Sequence, residues 1–82
     1  MFGLIVAMLF LLLYSAMAQA SAKDDYNEGV AYFRQGNYDA AVASFRSAEK
    51  KGMESAALFY NLGSAYYKLE LYAASKKYFT RV

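Results

Sequence analysis

Carboxylates and hydroxyls are the first side chains to test for chemistry in this chain of 82 residues, which holds no Cys and no His. Asp24 and Asp25 stand together as a carboxylate pair. On a helix, neighbouring side chains point in different directions, so the two cannot share a proton or a substrate. They are expected to form a solvated N-terminal charge cluster, favoured there by the helix dipole. Ser44, Ser47, Ser64 and Ser75 could act as nucleophiles only with a base to activate them, and the commonest base, His, is missing. Lys50-Lys51 and Lys76-Lys77 are short basic pairs near expected helix ends, where cations suit the dipole. Without thiolate or imidazole there is no disulfide and no ordinary metal site. The expectation is a protein without catalytic, cofactor-binding or metal-binding residues. The net charge of +2 is too small to argue for nucleic acid.

What the chain does carry is a repeat. Gly29 and Gly63 lie 34 residues apart, and the same offset joins Tyr26 to Tyr60, Asn27 to Asn61 and Ala31 to Ala65. It also joins Tyr32 to Tyr66, Tyr38 to Tyr72 and Phe45 to Phe79. Helical signals divide each period in two. The first helix is expected over Ala22 to Gln35, ended by the turn Gly36-Asn37. The second runs from Tyr38 to Lys51, with Tyr38, Ala41, Val42, Phe45 and Ala48 as one apolar stripe and Gly52 as its C-cap. A third is expected from Glu54 or Ser55 to Leu69, and a fourth from Leu71 to the chain end. A lone Gly in a helix costs about 1 kcal/mol against Ala, so two at one period need a packing reason. Gly29 and Gly63 would admit the paired helix closely, with Ala41 doing so from the other side. Tyr32 and Phe45, like Tyr66 and Phe79, would fill the space around the contact.

The chain resembles the tetratricopeptide (TPR) repeat family, whose pattern W-x2-L-G-x2-Y…A-x3-F falls in the second period on Phe59, Leu62, Gly63, Tyr66, Ser75 and Phe79. In the first it falls on Asp25, Glu28, Gly29, Tyr32, Ala41, Phe45 and Ala48. The resemblance implies an all-α solenoid of helix–turn–helix repeats, the first over about 22–55 and an incomplete second over about 56–82. Asp25 and Glu28 replace two apolar family positions and read as the polar cap of a terminal repeat. Glu70-Leu71 replaces the family's Gly-containing turn. At the other end Tyr72, Tyr78, Phe79 and Val82 would leave apolar surface uncovered. A longer protein, a partner, or self-association through the last helix would cover it.

The family's groove is lined by the first helix of each repeat and holds peptides or partner helices. Carried over, the resemblance assigns it Tyr26, Asn27, Val30, Phe33 and Arg34, then Tyr60, Asn61, Ser64, Tyr67 and Lys68. Aromatic rings would give contact area, Asn amides would bind backbone and the cations would attract acidic groups. Tyr26 and Val30 stand where the family's carboxylate clamp needs Lys and Asn, so capture of a C-terminal carboxylate is not expected. Tyr26, Tyr60 and Tyr67 could equally pack between helices.

Residues 1–20 differ in kind. No charged side chain precedes Lys23, and Phe2 to Ala18 is almost wholly apolar. The run ends in Ser15-Ala16-Met17-Ala18-Gln19-Ala20, which offers small-residue cleavage sites at Ala18 or Ala20. That is the layout of a secretory signal, although Met1-Phe2-Gly3 lacks the usual positive charge. The rival is an uncleaved anchor through residues 2–18, which at 1.5 Å per residue span roughly 25 Å of a ~30 Å hydrocarbon core. Either implies export, to the periplasm or beyond. The expected function is an exported protein–protein interaction module over residues 21–82, with an unidentified protein or peptide as partner. One alternative is a membrane-anchored assembly or stress-tolerance factor. The stretch Gly52 to Lys68 is similar to the exported repeat protein of bacterial aerotolerance (Bat) operons. Another is the N-terminal accessory part of a longer exported enzyme.

Overall fold

The computed structural model, which describes residues 1–82, divides into four helices at three turns, and one backbone device closes the first three helices. Helix α1 spans Phe2–Arg34, α2 Tyr38–Lys50, α3 Ala56–Lys68 and α4 Tyr72–Phe79. After α1, the amides of Gly36 and Asn37 donate back to the carbonyls of Phe33 (3.0 Å) and Tyr32 (2.9 Å). After α2, Gly52 and Met53 donate to Glu49 (3.0 Å) and Ala48 (3.1 Å). After α3, Glu70 and Leu71 donate to Tyr67 and Tyr66, both at 2.9 Å. This paired bonding needs a left-handed residue just past the helix end. Gly36 and Gly52 take it at φ of +78° and +100°, and Glu70 takes it at +62°. Glu70 lies one repeat period after Gly36, so the turn keeps its geometry although the glycine is gone.

The next helix starts from the same turn. Asn37 ends the first turn and its Oδ1 accepts from the amide of Ala40 at 3.3 Å, while Ser55 Oγ accepts from Leu58 at 3.1 Å. Connections this short place consecutive helices beside one another: α1 on α2, α2 on α3, α3 on α4. Within each hairpin a ring of the paired helix packs directly onto the repeat glycine. Gly29 faces the Phe45 ring of α2, and Gly63 faces the Phe79 ring of α4. Ala41, Phe45, Ala48, Leu58, Phe59, Leu62 and Tyr78 form the buried core, with Tyr26, Val30, Tyr32, Phe33, Val42 and Tyr66 packed around it. Repeat positions Ala41 and Phe45 are fully buried.

Four expectations change. Helix α1 begins at Phe2 rather than Ala22. The stretch Ser15–Ala20 holds neither Gly nor Pro, so nothing interrupts the backbone bonding of the apolar run into the first repeat. Asp25 and Glu28, the latter exposed, are more than a solvated cap. They point at α2, where Ser47 donates to Asp25 Oδ2 at 2.6 Å and Ser44 donates to Glu28 Oε1 at 3.3 Å. Asp25 is therefore not freely solvated, and Lys51 is not merely a helix-end cation: its Nζ lies 2.7 Å from Asp25 Oδ2 and also donates to Ser21 Oγ at 2.7 Å. Tyr78 is buried rather than part of the uncovered end. Its hydroxyl donates to Glu49 Oε1 at 2.9 Å, its ring stacks on Tyr66, and Arg81 pairs with Glu49 Oε2 at 2.9 Å.

Candidate functional site

Helices α1 and α3 meet along one side of the molecule, and their helical spacing sends a row of side chains to that side. From α1 come Tyr26, Val30, Phe33 and Arg34; from α3 come Tyr60, Asn61, Ser64, Tyr67 and Lys68. These residues line adjoining hollows. The first, of about 340 Å³, is bounded by Tyr26, Val30, Phe33, Arg34, Phe45 and Asn61. The second, of about 430 Å³, shares Phe33 and Asn61 and adds Tyr60, Ser64, Tyr67, Lys68 and Phe79. A third, of about 480 Å³, continues from Tyr67 and Phe79 to Tyr72, Ser75, Lys76 and Thr80. Of the ten side chains expected to line a groove, all but Asn27 fall on these hollows; Asn27 is exposed outside them.

The three tyrosines divide by burial. Tyr26 is half-buried: its ring packs on Phe45 at 5.7 Å, and its hydroxyl accepts from Asn61 Nδ2 at 2.8 Å. This bond ties the first repeat to the second, so Tyr26 positions Asn61 from within the structure. Tyr60 and Tyr67 are each 58% exposed, held only by ring contacts to Phe79 (5.8 Å) and Tyr72 (5.3 Å). They are the open aromatic surface. Phe33 stands edge-on to Tyr38 at 5.1 Å and forms the wall between the first two hollows.

Sequence reasoning left Phe45, Phe79, Tyr72 and Lys76 out of this face. Phe45 and Phe79 carry the repeat signature, which marks them as packing residues, yet both border a hollow: Phe45 lies beneath the first without exposure, and Phe79, 39% exposed, opens an edge to the second and third. The hydroxyls singled out as candidate nucleophiles are engaged in helix packing: Ser44 and Ser47 as described, and Ser75 donating to the Gly63 carbonyl at 2.8 Å. Ser64 lines the second hollow.

Across the molecule, Tyr66 Oη accepts from Arg46 at 3.2 Å, and Arg46 pairs with Glu49 at 3.2 Å. With Tyr78 and Arg81 this forms a polar network joining α2, α3 and the chain end. Arg81 also lies 4.1 Å from the centre of the Phe59 ring, a cation–π contact. Burial first, and then the hydrogen bond to Glu49, push the Tyr78 phenol above its ordinary pKa. The largest apolar indentation, about 700 Å³, is formed by Ala7 to Met17 of α1 alone. It has one helix as its only wall, and it is remote from the groove.

No curated protein matches the chain. A family comparison matches residues 29–70, just over half of the sequence, to the TPR repeat. That stretch contains both spacer glycines, all of α2 and α3, and the two turns between Gly29 and Lys68. With four helices and the spacer contact repeated 34 residues on, the chain belongs to the TPR repeat family.

Proposed function

We propose that this chain is an interaction module that holds an extended peptide or a partner helix across α1 and α3, and that it carries out no reaction itself. TPR repeats generally mediate protein–protein interaction. The observation that carries the reading here is the line of three adjoining hollows, walled by aromatic rings and crossed by the Asn61 amide. Replacing Tyr60 and Tyr67 together by Ala is expected to weaken partner capture roughly tenfold, since exposed aromatic anchors dominate such interfaces. The helical circular dichroism should be unchanged, because both rings lie outside the core. Undiminished capture would remove the groove from these residues, and loss of helicity would return the rings to the core.

A second reading concerns the N-terminal segment. Export is proposed from its composition, with residues 1–20 either cleaved as a signal or retained as an anchor. Helix α1 is the one helix long and apolar enough to cross a membrane, and it passes without interruption through Ala18 and Ala20. Ala22 is buried, and Ser21 bonds Lys51 at the α2–α3 turn. A peptidase must take its site in extended form, so the unbroken helix through Ala18 and Ala20 supports retention and a membrane-anchored module, while the Ser21 and Ala22 contacts would persist in either form. Mass spectrometry of the protein from its own host decides this. A mature chain starting at Gln19 or Ser21 excludes the anchor; one retaining residues 1–20 excludes cleavage.

A further inference from the structure

Each of the three hollows carries one cation: Arg34 in the first, Lys68 in the second and Lys76 in the third. None of the three has a carboxylate partner. The ion pairs of the molecule use Arg46, Lys51 and Arg81 instead, against Glu49 and Asp25 on other faces. No Asp or Glu lines any of the hollows. The surface is thus a strip with aromatic floors and evenly distributed positive charge, although the chain as a whole is only +2. Between the first and second hollows, Asn61 has its Nδ2 committed to Tyr26, while its Oδ1 has no partner within the protein. A backbone amide of an extended chain lying in the strip could donate to that oxygen.

We infer that the occupant is an acidic peptide segment in which aromatic or aliphatic side chains alternate with carboxylates. The apolar side chains seat in the hollows, and the carboxylates meet Arg34, Lys68 and Lys76. This inference rests on the reading of the strip as a peptide-binding groove and specifies what that groove selects. Exposed charge pairs are individually weak, so the three cations act on choice of partner and on encounter rate more than on total affinity. The aromatic seats supply the affinity. Basic and aromatic surfaces also bind single-stranded nucleic acid, where bases stack on flat rings along a continuous positive track. Here the open rings are tilted against their neighbours, Tyr60 by 48° to Phe79 and Tyr67 by 63° to Tyr72, rather than lying parallel, which suits side chains rather than stacked bases.

The test uses the full 82-residue chain in micelles of a nonionic detergent, with protein-free micelles as the blank. Fluorescein-labelled peptides of about twelve residues, which reach roughly 40 Å when extended, alternate phenylalanine and leucine with glutamate, with glutamine or with lysine. The glutamate peptide is expected to bind at least about tenfold more tightly than the glutamine peptide, and the gap should narrow as salt is raised. In the variant Arg34→Gln, Lys68→Gln, Lys76→Gln, the ratio of glutamate-peptide to glutamine-peptide affinity should fall below about twofold, and a ratio that stays near tenfold would overturn the assignment of charge selection to these three cations. Equal binding of glutamate and glutamine peptides, or a preference for lysine, overturns the charge selection and leaves the groove standing. Failure of all three peptides overturns the groove as well. A labelled oligouridylate that binds more tightly than the glutamate peptide replaces the peptide by nucleic acid and also overturns the inference.

Discussion

Gly29 and Gly63 occupy the same place in their repeats, yet they are not equally replaceable. A methyl group on Gly29 would stand 2.6 Å from Cδ1 and Cε1 of Phe45, a ring fully buried in the core and packed on Tyr26 at 5.7 Å, so that moving it disturbs its neighbours. The overpacking cost of about 1–3 kcal/mol outweighs the ~1 kcal/mol that Ala gains over Gly in a helix. Gly29→Ala is therefore expected to lower the midpoint of a circular dichroism melt; an unchanged or raised midpoint would mean that α1 and α2 separate freely. At Gly63 the clash is with Phe79, at 2.5 Å, but that ring is partly exposed on an eight-residue terminal helix and can swing out. Gly63→Ala should leave the midpoint nearly unchanged and instead weaken binding, since Phe79 floors the second and third hollows. Glu70 presents the reverse case. Its φ of +62° is strained for any residue with a Cβ, and Gly36 holds the equivalent place in the first repeat without that strain. Glu70→Gly should stabilise the fold by about 1 kcal/mol, raising the midpoint by roughly 4–8 °C. No rise would mean that the Glu70 side chain makes up the backbone cost.

At the scale of the helices, what joins α1 to α2 is partly polar, and this makes the first hairpin sensitive to acid. The Lys51 ammonium and then the Ser47 hydroxyl, both donating to Asp25, hold its carboxyl below the ordinary carboxylate value. A depressed folded pKa means that the unfolded chain takes up protons first as pH falls. The stability due to Asp25 is complete above the unfolded pKa of about 3.9 and is lost as pH drops through the lower folded value. Wild type should therefore lose more stability between about pH 5 and pH 3 than Asp25→Asn does. Equal losses would show that the pair is too exposed to count, as many surface pairs are. This seam also marks where the sequence stopped being legible. The apolar stripe of α2 and the spacer glycines could be read because a 3.6-residue period and a 34-residue repeat are carried by single residue types. Asp25 and Glu28 could not, because a carboxylate at an apolar family position looks like an exposed cap until the serines opposite it are placed. The groove residues were legible as a set through the repeat, but burial was not: Tyr26 and Tyr60 share a repeat position, and only the former is covered. Tyr78 was misread because the partly buried acceptor Glu49, 29 residues away, is what lets its hydroxyl go inside.

The whole molecule is 55 Å long because α1 extends well past the repeats it belongs to. Its 33 residues at 1.5 Å each make a rod of roughly 50 Å, and only the C-terminal part, from Gln19 onward, comes against the other elements. Side chains from Phe2 to Met17 are almost all exposed and apolar, which water does not favour on all sides of a helix. From Phe2 to Ala18 the helix is almost wholly apolar, a rise of roughly 25 Å against ~30 Å of hydrocarbon, and Gln19 to Ala22 add no charge. The first charged residues then follow at once, and Ser21 and Asp25 already bond Lys51 at the α2–α3 turn. A module anchored in this way has no linker: the groove would stand at a fixed height and tilt above the bilayer, and a partner would have to present its peptide close to the membrane surface. If residues 2–18 are retained as an anchor, as proposed above, the joint to the module would be the seven-residue stretch Ser15–Ser21, and hydrogen exchange on the full chain in micelles reports on it directly. If the helix carries through, amides of Ser15–Ser21 should exchange as slowly as those of Ala22–Arg34, because each is bonded within the same uninterrupted ladder. Fast exchange confined to Ser15–Ser21, with protection on both sides, would reveal a hinge, and the module would then swing on its anchor. In that case Gln19 and Ala20 would also be accessible in extended form, and the balance between retention and cleavage would shift towards cleavage.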